Sequence, residues 1–290
     1  MKYKIFQPYY DEKQLKTLDK EFTPFDNLEN ARPELREYHI FKMAMENGTT
    51  DGLDAWGFFS TRWKAKTRIE PKQFTDWIEA EPGYDVYHIN PSRVHEACTI
   101  NVWEQGEWYH RGLMEGGQQV LYDLGYHVDL ANMPMSRKEY CFCSYFVASK
   151  AFWRDYMHFL DDVYKYIHVA SPEIKKLVTR NANYGKDRSL TNFPFLVERL
   201  FPTFLYMNRT NYKVNYYPYT YDCYRPQINN NADLVKTISE MKHHALELKD
   251  QVLFDQWNTT RKHFIGKYFN AVNIAEDEKY YYENLGLDQR

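Results

Sequence analysis

Residues Tyr84 to Leu113, YDVYHINPSRVHEACTINVWEQGEWYHRGL, contain the pattern that decides the fold. Tyr84 to Ile89 is rich in tyrosine, valine and isoleucine, which predicts a short strand. Asn90-Pro91 ends that strand, because proline cannot donate to a strand ladder and biases Asn90 toward an extended or turn conformation. In α/β proteins, ligands bind where a strand ends in a polar turn. The sequence therefore predicts a strand with a site at its carboxyl end.

Beyond this turn, the segment from Asn101 to Arg111 combines carboxylates, amides and aromatic rings. These residues are Asn101, Trp103, Glu104, Gln105, Glu107, Trp108, Tyr109, His110 and Arg111. The mixture suits a polar ligand such as a sugar, and we expect a site loop here. The alternative is a solvated loop that its two tryptophans fix in place, and the residues alone leave both interpretations open.

The segments before this stretch alternate between strand and helix patterns. Tyr3 to Tyr10 and Phe22 to Asp26 read as short strands, and Ala55 to Ser60 as a central strand. Gln73 to Ala80 reads as a helix that leads into the strand at Tyr84 to Ile89. This alternation predicts an α/β fold with a mixed sheet. Neither G-x-G-x-x-G nor G-x-x-x-x-G-K-[ST] occurs, so the usual dinucleotide and P-loop signatures are excluded.

The second half of the chain predicts one strong strand and several helices. Glu139 to Ser149 has the highest β propensity, and it would place Cys141 and Cys143 on one face of a strand. The other predicted elements are helices at Gly112 to Gly125, Lys150 to Ile167 and Thr191 to Tyr206, a strand at Lys213 to Tyr221, and helices from Ala232 and at Trp257 to Phe269. We therefore expect a sheet domain over residues 1–225 and a helical extension over residues 226–290 that packs on it.

Composition limits the class of protein. The net charge is -3 and the pI about 6.4, so global charge gives no case for nucleic acid. The four cysteines, Cys98, Cys141, Cys143 and Cys223, lack paired metal spacing and predict reduced thiols, which favours a cytoplasmic location. No stretch has the roughly 18 to 20 apolar residues of a spanning helix, so we expect no transmembrane segment.

Cations and aromatic rings follow the first predicted strands. Pro8 marks the end or an edge of the first strand, and Tyr9 and Tyr10 lie just after it, where they could stack on a nucleotide base or pack on the next helix. Arg32 precedes a predicted helix and could clamp a phosphate or pair with a neighbouring carboxylate. Arg62, Lys64 and Lys66 follow the central strand and predict an anion-binding edge.

A local basic region runs from Glu173 to Lys213. Eight basic residues oppose three acidic ones there, which gives a balance of +5 and predicts an anionic partner. Within it, Glu198 and Arg199 lie in a mostly apolar helix. A buried carboxylate is expensive unless it is paired or used, so Glu198 is either in a salt bridge or catalytic.

A succession of short motifs resembles a known group of proteins. The motifs are Tyr9-Tyr10, P-F-D-N at Pro24 to Asn27, N-x-R-P-E at Asn30 to Glu34, W-G-F-F-S at Trp56 to Ser60, K-x-K-T at Lys64 to Thr67, I-N-P at Ile89 to Pro91, N-V-W-E-Q-G-E at Asn101 to Glu107, C-S-Y-F-V-A at Cys143 to Ala148 and E-R-L-F at Glu198 to Phe201. They resemble a little-characterised glycosyltransferase domain family of bacterial surface-polysaccharide loci and phages. N-V-W-E-Q-G-E is the most specific of them.

This resemblance implies a GT-A-like nucleotide-sugar fold that binds the nucleoside near the first strand. GT-A enzymes usually hold a divalent ion through Asp-x-Asp, and no Asp-x-Asp occurs in this chain. A requirement for Mn²⁺ or Mg²⁺ is therefore left open, and arginines and lysines could neutralise the leaving diphosphate instead.

The hypothesis from the sequence is transfer of a sugar from a nucleotide-diphosphate donor, of the uridine type, to a hydroxyl acceptor. The acceptor would be a surface glycan or a hydroxymethylated base, hydroxymethylcytosine, in phage DNA. The candidate residues are Glu104 and Glu107, then Glu198 and Asp85, as the catalytic carboxylate; Tyr9, Tyr10, Arg32, Arg62 and Asn90 on the donor side; and Trp103, Trp108, His110 and Arg188 on the acceptor side. The alternative is a non-catalytic carbohydrate-binding or interaction module.

Overall fold

The structure is a computed structural model that describes residues 1–182, 191–218 and 231–268. The strands in this part of the chain are β1 (Tyr3–Tyr9), β2 (Thr23–Asp26), β3 (Ala55–Phe58), β4 (Val86–His88), β5 (Phe146–Ser149) and β6 (Val214–Tyr216). The helices are α1 (Glu37–Glu46), α2 (Trp63–Thr67), α3 (Pro71–Ala80), α4 (Arg93–Cys98), α5 (Val102–Tyr109), α6 (Leu113–Asp123), α7 (Lys150–Val169), α8 (Pro172–Thr179), α9 (Phe193–Met207), α10 (Ala232–Leu248) and α11 (Gln251–Tyr268).

The strands form one mixed sheet in the order β2-β1-β3-β5-β4-β6. β1 is parallel to β2 and β3, β4 is parallel to β6, and β5 is antiparallel to both of its neighbours. The carboxyl ends of the other five strands therefore meet the amino end of β5 on one side of the sheet. We call this side the carboxyl end of the sheet.

Helices cover both faces of the sheet, because successive side chains of a strand point to opposite faces. On one face, Trp153 of α7 donates its indole N–H to the carbonyl of Trp56 at 2.7 Å, and Phe201 of α9 stacks on Phe146 at 3.8 Å. On the other face, Trp63 of α2 and Phe59 stack at 4.5 Å. The prediction of a mixed α/β sheet flanked by helices is confirmed.

The predicted site loop and the strand predicted from Glu139 differ from the structure. The expected site loop after Asn101 is helix α5, because the Asn101 side chain accepts hydrogen bonds from the backbone N–H groups of Trp103 and Glu104 at 2.8 and 2.9 Å and begins a helix. The strand predicted from Glu139 begins at Phe146. Cys143 and Ser144 have left-handed backbones, with φ of 66° and 51°, so Cys141 and Cys143 do not share a strand face. Cys98, Cys141 and Cys143 are free thiols, and Cys223 lies outside the described residues.

Helices α10 and α11 pack on α4 and use side chains to satisfy its terminal carbonyls. Lys242 donates to the carbonyls of residues 96 and 99 at 3.0 and 2.8 Å. Trp257 donates to the carbonyl of residue 97 and Arg261 to that of residue 98, at 2.9 and 2.8 Å. The last carbonyls of a helix lack partners within it and carry partial negative charge, so cations there are favourable. The helical extension is thereby tied to the sheet domain, while the predicted boundary at residues 225 and 226 lies outside the described ranges.

A buried carboxylate lies at the centre of this contact. Glu96 is fully buried and accepts hydrogen bonds from Asn90 at 3.0 Å, Arg93 at 2.8 Å and His243 at 2.8 Å. Burial alone would raise the pKa of Glu96, but Arg93, His243 and Arg137 hold it well below its usual range. Burial lowers the pKa of His243 to about 4, so this imidazole is neutral near pH 7 and donates its Nε2–H.

We expect Glu96→Gln to lower the free energy of unfolding by about 3 kcal/mol at pH 7, because it removes the negative charge from a buried site that Arg93 contacts directly. A carboxyl whose folded pKa is depressed stabilises the fold above its ordinary pKa of 4.5 and loses that contribution as pH falls. The difference between wild type and variant should therefore shrink as the pH falls from 5 to 3. Urea unfolding across that range measures it.

Glu115→Gln is the matched control, because Glu115 is exposed on α6. It should change the free energy of unfolding by less than about 0.5 kcal/mol. A gap between Glu96→Gln and wild type that is the same at pH 3 and pH 7 would contradict this assignment of charge.

Candidate functional site

Six polar or reactive side chains from separate parts of the chain converge at the carboxyl end of the sheet. This carboxyl-end cluster consists of Tyr10, Glu37, Lys66, Cys143, Tyr145 and Glu198. They come from the end of β1, the start of α1, helix α2, the segment that enters β5, and α9. The parallel strands and the reversed β5 bring these elements together, and ligands of open α/β sheets bind in this position.

Glu198 is fixed to the backbone at the entrance to β5. Its Oε1 accepts a hydrogen bond from the N–H of Cys143 at 2.7 Å, and its Oε2 lies 3.6 Å from Arg199. The left-handed conformations of Cys143 and Ser144 direct this N–H toward α9. Left-handed non-glycine residues cost about 1 to 3 kcal/mol each and are concentrated at functional sites. The local backbone is strained where it holds the carboxylate.

Lys66 supplies a positive charge next to Cys143, the residue that binds this carboxylate. Its Nζ lies 3.3 Å from Cys143 Sγ and 5.9 Å from the ring centre of Tyr145. The Tyr145 hydroxyl is 2.5 Å from Ser60 Oγ at the end of β3. Burial raises the pKa of Cys143 to about 11 in spite of Lys66, so the side chain is a neutral thiol. A neutral thiol is a poor nucleophile, so Lys66 is the charged member of this pair.

Glu37 is the carboxyl group of the cluster whose pKa is raised. It is open to solvent, yet the protein atoms packed round its carboxyl group raise its pKa, and the negative charge of Glu198 raises it further. Lys66 and Arg36 act in the opposite direction. Burial raises the pKa of Tyr10 to about 12, and the negative charge of Glu37 contributes to this rise. A solvent-exposed carboxyl group with a raised pKa is a stronger base than an ordinary carboxylate and can exchange a proton with a bound ligand.

Five of the predicted residues lie at this end of the sheet. Tyr10 and Glu198 belong to the cluster. Tyr9 is buried beside Asp26, and both burial and Asp26 raise its pKa. The backbone N–H of Arg62 contacts Ser60 Oγ at 3.3 Å, and Asn90 is buried against Glu96.

Glu104 and Glu107, the first catalytic candidates, already have partners for both of their oxygens. Glu104 accepts from the N–H of Ile100 at 2.5 Å and from Arg261 at 2.7 Å. Glu107 accepts from the N–H groups of Gly112 and Met114 at 2.8 and 2.7 Å, and so caps the start of α6. These hydrogen bonds give both residues a structural role. A catalytic role for either residue stays a prediction.

The acceptor-side candidates lie on or near α5. Trp103 is fully buried and donates its indole N–H to Thr203 at 2.8 Å. Trp108 is half-buried against apolar residues of α4 and α10. His110 is buried and stacks on Phe195 at 3.9 Å, and burial together with Arg199 lowers its pKa to about 3. Their role in binding stays a prediction.

The remaining candidates lie apart from the cluster. Asp85 precedes β4, at the opposite end of that strand from Asn90, and accepts from the N–H of Lys213 at 2.9 Å. Arg32 pairs with Glu34 at 2.5 Å and donates to the Tyr164 hydroxyl at 3.2 Å, in a groove between α1 and α7. Arg188 lies outside the described residues.

Sequence reasoning did not select Glu37, Cys143 or Tyr145. Glu37 was visible as an acidic residue at the start of a predicted helix, and the cysteine and tyrosine as parts of a predicted strand. Lys66 was part of the predicted anion-binding edge. The K-x-K-T segment follows central strand β3, and the C-S-Y-F segment leads into central strand β5. Considered together, these two segments could have indicated a common site. Their proximity needed the reversal of β5, which no local pattern indicates.

Metal binding has no ready-made site in the part of the chain that the structure describes. No group of three or more His, Cys, Asp or Glu side chains in those ranges is arranged to hold an ion. A requirement for Mn²⁺ or Mg²⁺ therefore stays open to experiment.

No helix in the described ranges is long and apolar enough to cross a membrane.

We expect Glu107→Ala to lower the free energy of unfolding by about 1 to 2 kcal/mol, because α6 would lose the acceptor for two of its first N–H groups. Glu115→Ala, in the first turn of the same helix, has no such contact and should change stability by less than about 0.5 kcal/mol. Denaturant unfolding of the two variants decides it. Equal stabilities would restore Glu107 as a leading catalytic candidate.

Comparisons with known proteins found a weak likeness to a solved structure. No family model matches the chain, and no curated protein matches it. Among solved structures, the apo structure of WbbM, a bifunctional glycosyltransferase, is similar, with a TM-score of 0.49 and 13% sequence identity. The similarity covers 75% of this chain and 44% of that one, so the chain spans less than half of the WbbM structure. A likeness at this level carries no argument about activity.

Proposed function

We propose that the protein is a glycosyltransferase with a GT-A-like sheet, which moves a sugar from a nucleotide-diphosphate donor to a hydroxyl acceptor. The observation that carries this proposal is that Glu198 and Lys66 both contact Cys143 at the carboxyl end of the sheet, close enough to Glu37 for both charges to act on its carboxyl group. Glycosyl transfer needs a proton acceptor for the incoming hydroxyl and positive charge for the leaving diphosphate. The carboxyl-end cluster contains both kinds of group.

Glu37 is the proposed proton acceptor of an inverting transfer. It faces solvent, so an acceptor hydroxyl can reach it, and its raised pKa makes it a stronger base than an ordinary carboxylate. Glu198 is tied to the N–H of Cys143 and keeps its negative charge close to Glu37. Two neighbouring carboxylates resist ionising together, so Glu198 strengthens Glu37 as a base.

Lys66 and Arg36 are the proposed groups that bind the leaving diphosphate. Both act electrostatically on Glu37, so their charges lie near its carboxyl group. A cation held where negative charge develops stabilises the transition state without reorganisation. Tyr10, which is 41% exposed at the end of β1, offers a flat face for the base of the donor, for which uridine is the first choice.

The acceptor is a surface glycan or a hydroxymethylated base in DNA. The basic region from Glu173 to Lys213 favoured an anionic partner, but Arg199 is buried there and bonds to the carbonyls of Val102 and Phe195 and to Gln105. It is unavailable to a phosphate backbone. This reduces the support for DNA that the sequence offered.

We expect Glu37→Gln to lower turnover of a nucleotide sugar by roughly two to four decades while the protein stays folded, because the amide cannot accept the hydroxyl proton. Glu198→Gln should also lower turnover and shift the acidic limb of the rate profile to lower pH, because its charge no longer raises the pKa of Glu37. Initial rates measured from pH 5 to 9 test both.

Glu46→Gln is the control, since Glu46 lies at the far end of α1 with 66% of its side chain exposed. It should leave the rate unchanged. Wild-type turnover by Glu37→Gln would eliminate Glu37 as the base and return the choice to the other carboxylates.

We expect a nucleotide-diphosphate sugar to raise the melting temperature by several degrees at about 100 times its Kd, because a ligand that binds the native state stabilises it by mass action. Lys66→Met should abolish most of this shift, whereas Lys72→Met, on the exposed surface of α3, should keep it. The screen is run with each nucleotide and with or without Mn²⁺ and Mg²⁺. A sugar that shifts the protein without any nucleotide effect would favour a non-catalytic binding module.

A further inference from the structure

An open recess lies on the β6 side of the carboxyl end of the sheet. It is an open groove of about 800 Å³ between residues 132–139 on one side and the end of α10 with the start of α11 on the other. Tyr216 of β6 and Arg209 lie along it. We call this recess the polar groove. Its volume is that of a site for a ligand larger than a single sugar ring.

The walls of the polar groove are fixed before any ligand binds. Asn101 donates to the carbonyls of Leu130 and Met133 at 2.7 and 2.9 Å, and Met135 donates to the carbonyl of Ile100 at 3.0 Å. Because Asn101 is fully buried, the segment it holds cannot move freely. A preformed wall needs little ordering on binding, which favours affinity for a flexible polymer.

The two walls are also tied to each other. Arg137 reaches from the first wall to α10, where it donates to Glu240 at 2.6 Å and to Ser239 at 3.2 Å. The groove is therefore a feature of the folded chain rather than a gap between loosely packed elements.

The chemistry of the lining favours an uncharged, hydrogen-bonding ligand. Four lysine or arginine side chains and four aspartate or glutamate side chains line the groove, so their formal charges cancel. Duplex DNA carries a negative charge about every 1.7 Å, and an equal number of carboxylates would repel it. Tyr216 and Phe254 add two half-exposed aromatic rings, and His244 and Gln251 add exposed polar groups. Flat apolar faces among hydrogen-bonding groups suit sugar rings.

The polar groove reaches the turn after β4, at the same end of the sheet as the proposed transfer site. Tyr216 pairs with His88, the last residue of β4, and the His88 ring contacts the carbonyl of Lys138 in the groove wall at 3.0 Å. Two residues after His88, Asn90 binds Glu96, and Glu96 also binds His243 from the groove lining. A chain bound in the groove would therefore lie beside the turn at the carboxyl end of β4.

We propose that the polar groove binds a neutral oligosaccharide, and that this oligosaccharide is the acceptor of the proposed transfer. The second half of the statement rests on the proposed function, whereas the first half stands on the groove alone. It assigns the acceptor to the glycan class and not to DNA.

The test measures binding of neutral hexasaccharides of glucose, galactose and mannose to the intact protein without any donor, by calorimetry and ligand-observed NMR. We expect at least one of them to bind. Phe254→Leu should weaken that binding about fivefold to tenfold, because leucine retains apolar packing against Trp257 but has no flat face. His244→Ala, a change of an exposed side chain, should weaken it as well.

Val252→Ala is the matched control, because Val252 lies in the same helix with 68% exposure and does not line the groove. It should bind the hexasaccharide as wild type does. If no hexasaccharide binds, or if Phe254→Leu and His244→Ala bind as wild type, the proposal is overturned. It is also overturned if hydroxymethylated duplex DNA binds in competition with the sugar and loses affinity steeply with salt.

The groove assignment and the proposed function can fail independently. If hexasaccharides bind through Phe254 and no nucleotide sugar shifts the melting temperature, the groove is confirmed as a glycan site and the transferase proposal fails. If nucleotide sugars shift the melting temperature and no hexasaccharide binds, the transferase proposal survives and the groove assignment fails.

Discussion

The reversal of β5 is the constraint on which the candidate site depends. β5 lies between β3 and β4 and runs against both of them, so the chain must enter it at the end of the sheet where its neighbours finish. The pairing is close enough that a Cβ on Gly57 would lie 2.1 Å from the carbonyl oxygen of Phe146, which requires glycine at that position. Just before Phe146, the left-handed pair Cys143 and Ser144 turns the chain and directs one N–H at Glu198. A parallel β5 would have left this end of the sheet without those groups.

A second dependence runs through buried charge. Glu96 connects Asn90, at the turn after β4, to His243 on α10, while Arg137 connects the same region to the wall of the polar groove. Removing one partner from such a buried group leaves an uncompensated charge, which is far more destabilising than replacing the whole group. The helical extension is therefore part of the electrostatics of the turn after β4. A change of His243 on α10 therefore alters the charge balance at the turn after β4.

Much of the fold could be predicted from the sequence, because its signals are local. The central strand at Ala55, the helix from Lys150 and the long helix from Ala232 follow from apolar periodicity, and each begins at the predicted residue. The error at α5 has a physical cause, since Asn101 and Glu104 form a helix start that resembles a polar loop when only composition is considered. The carboxyl-end cluster was less accessible. Tyr10, Lys66 and Glu198 carried individual signals, but Glu37 and Glu198 are 161 positions apart and only the sheet topology brings them together.

The position of the carboxylates shows why density of charged residues in a sequence is a poor guide to a site. Glu104 and Glu107 lie in the stretch richest in polar side chains, yet their oxygens accept backbone N–H groups that a short helix cannot satisfy by itself. Glu37 faces solvent instead, and its ionisation depends on Glu198, Lys66 and Arg36. In the proposed transfer, an arriving diphosphate would be attracted to the two cations and would bring its own negative charge. Both effects reduce the stabilisation of the Glu37 carboxylate and raise its pKa further, so donor binding would make this group a stronger base before the acceptor hydroxyl arrives.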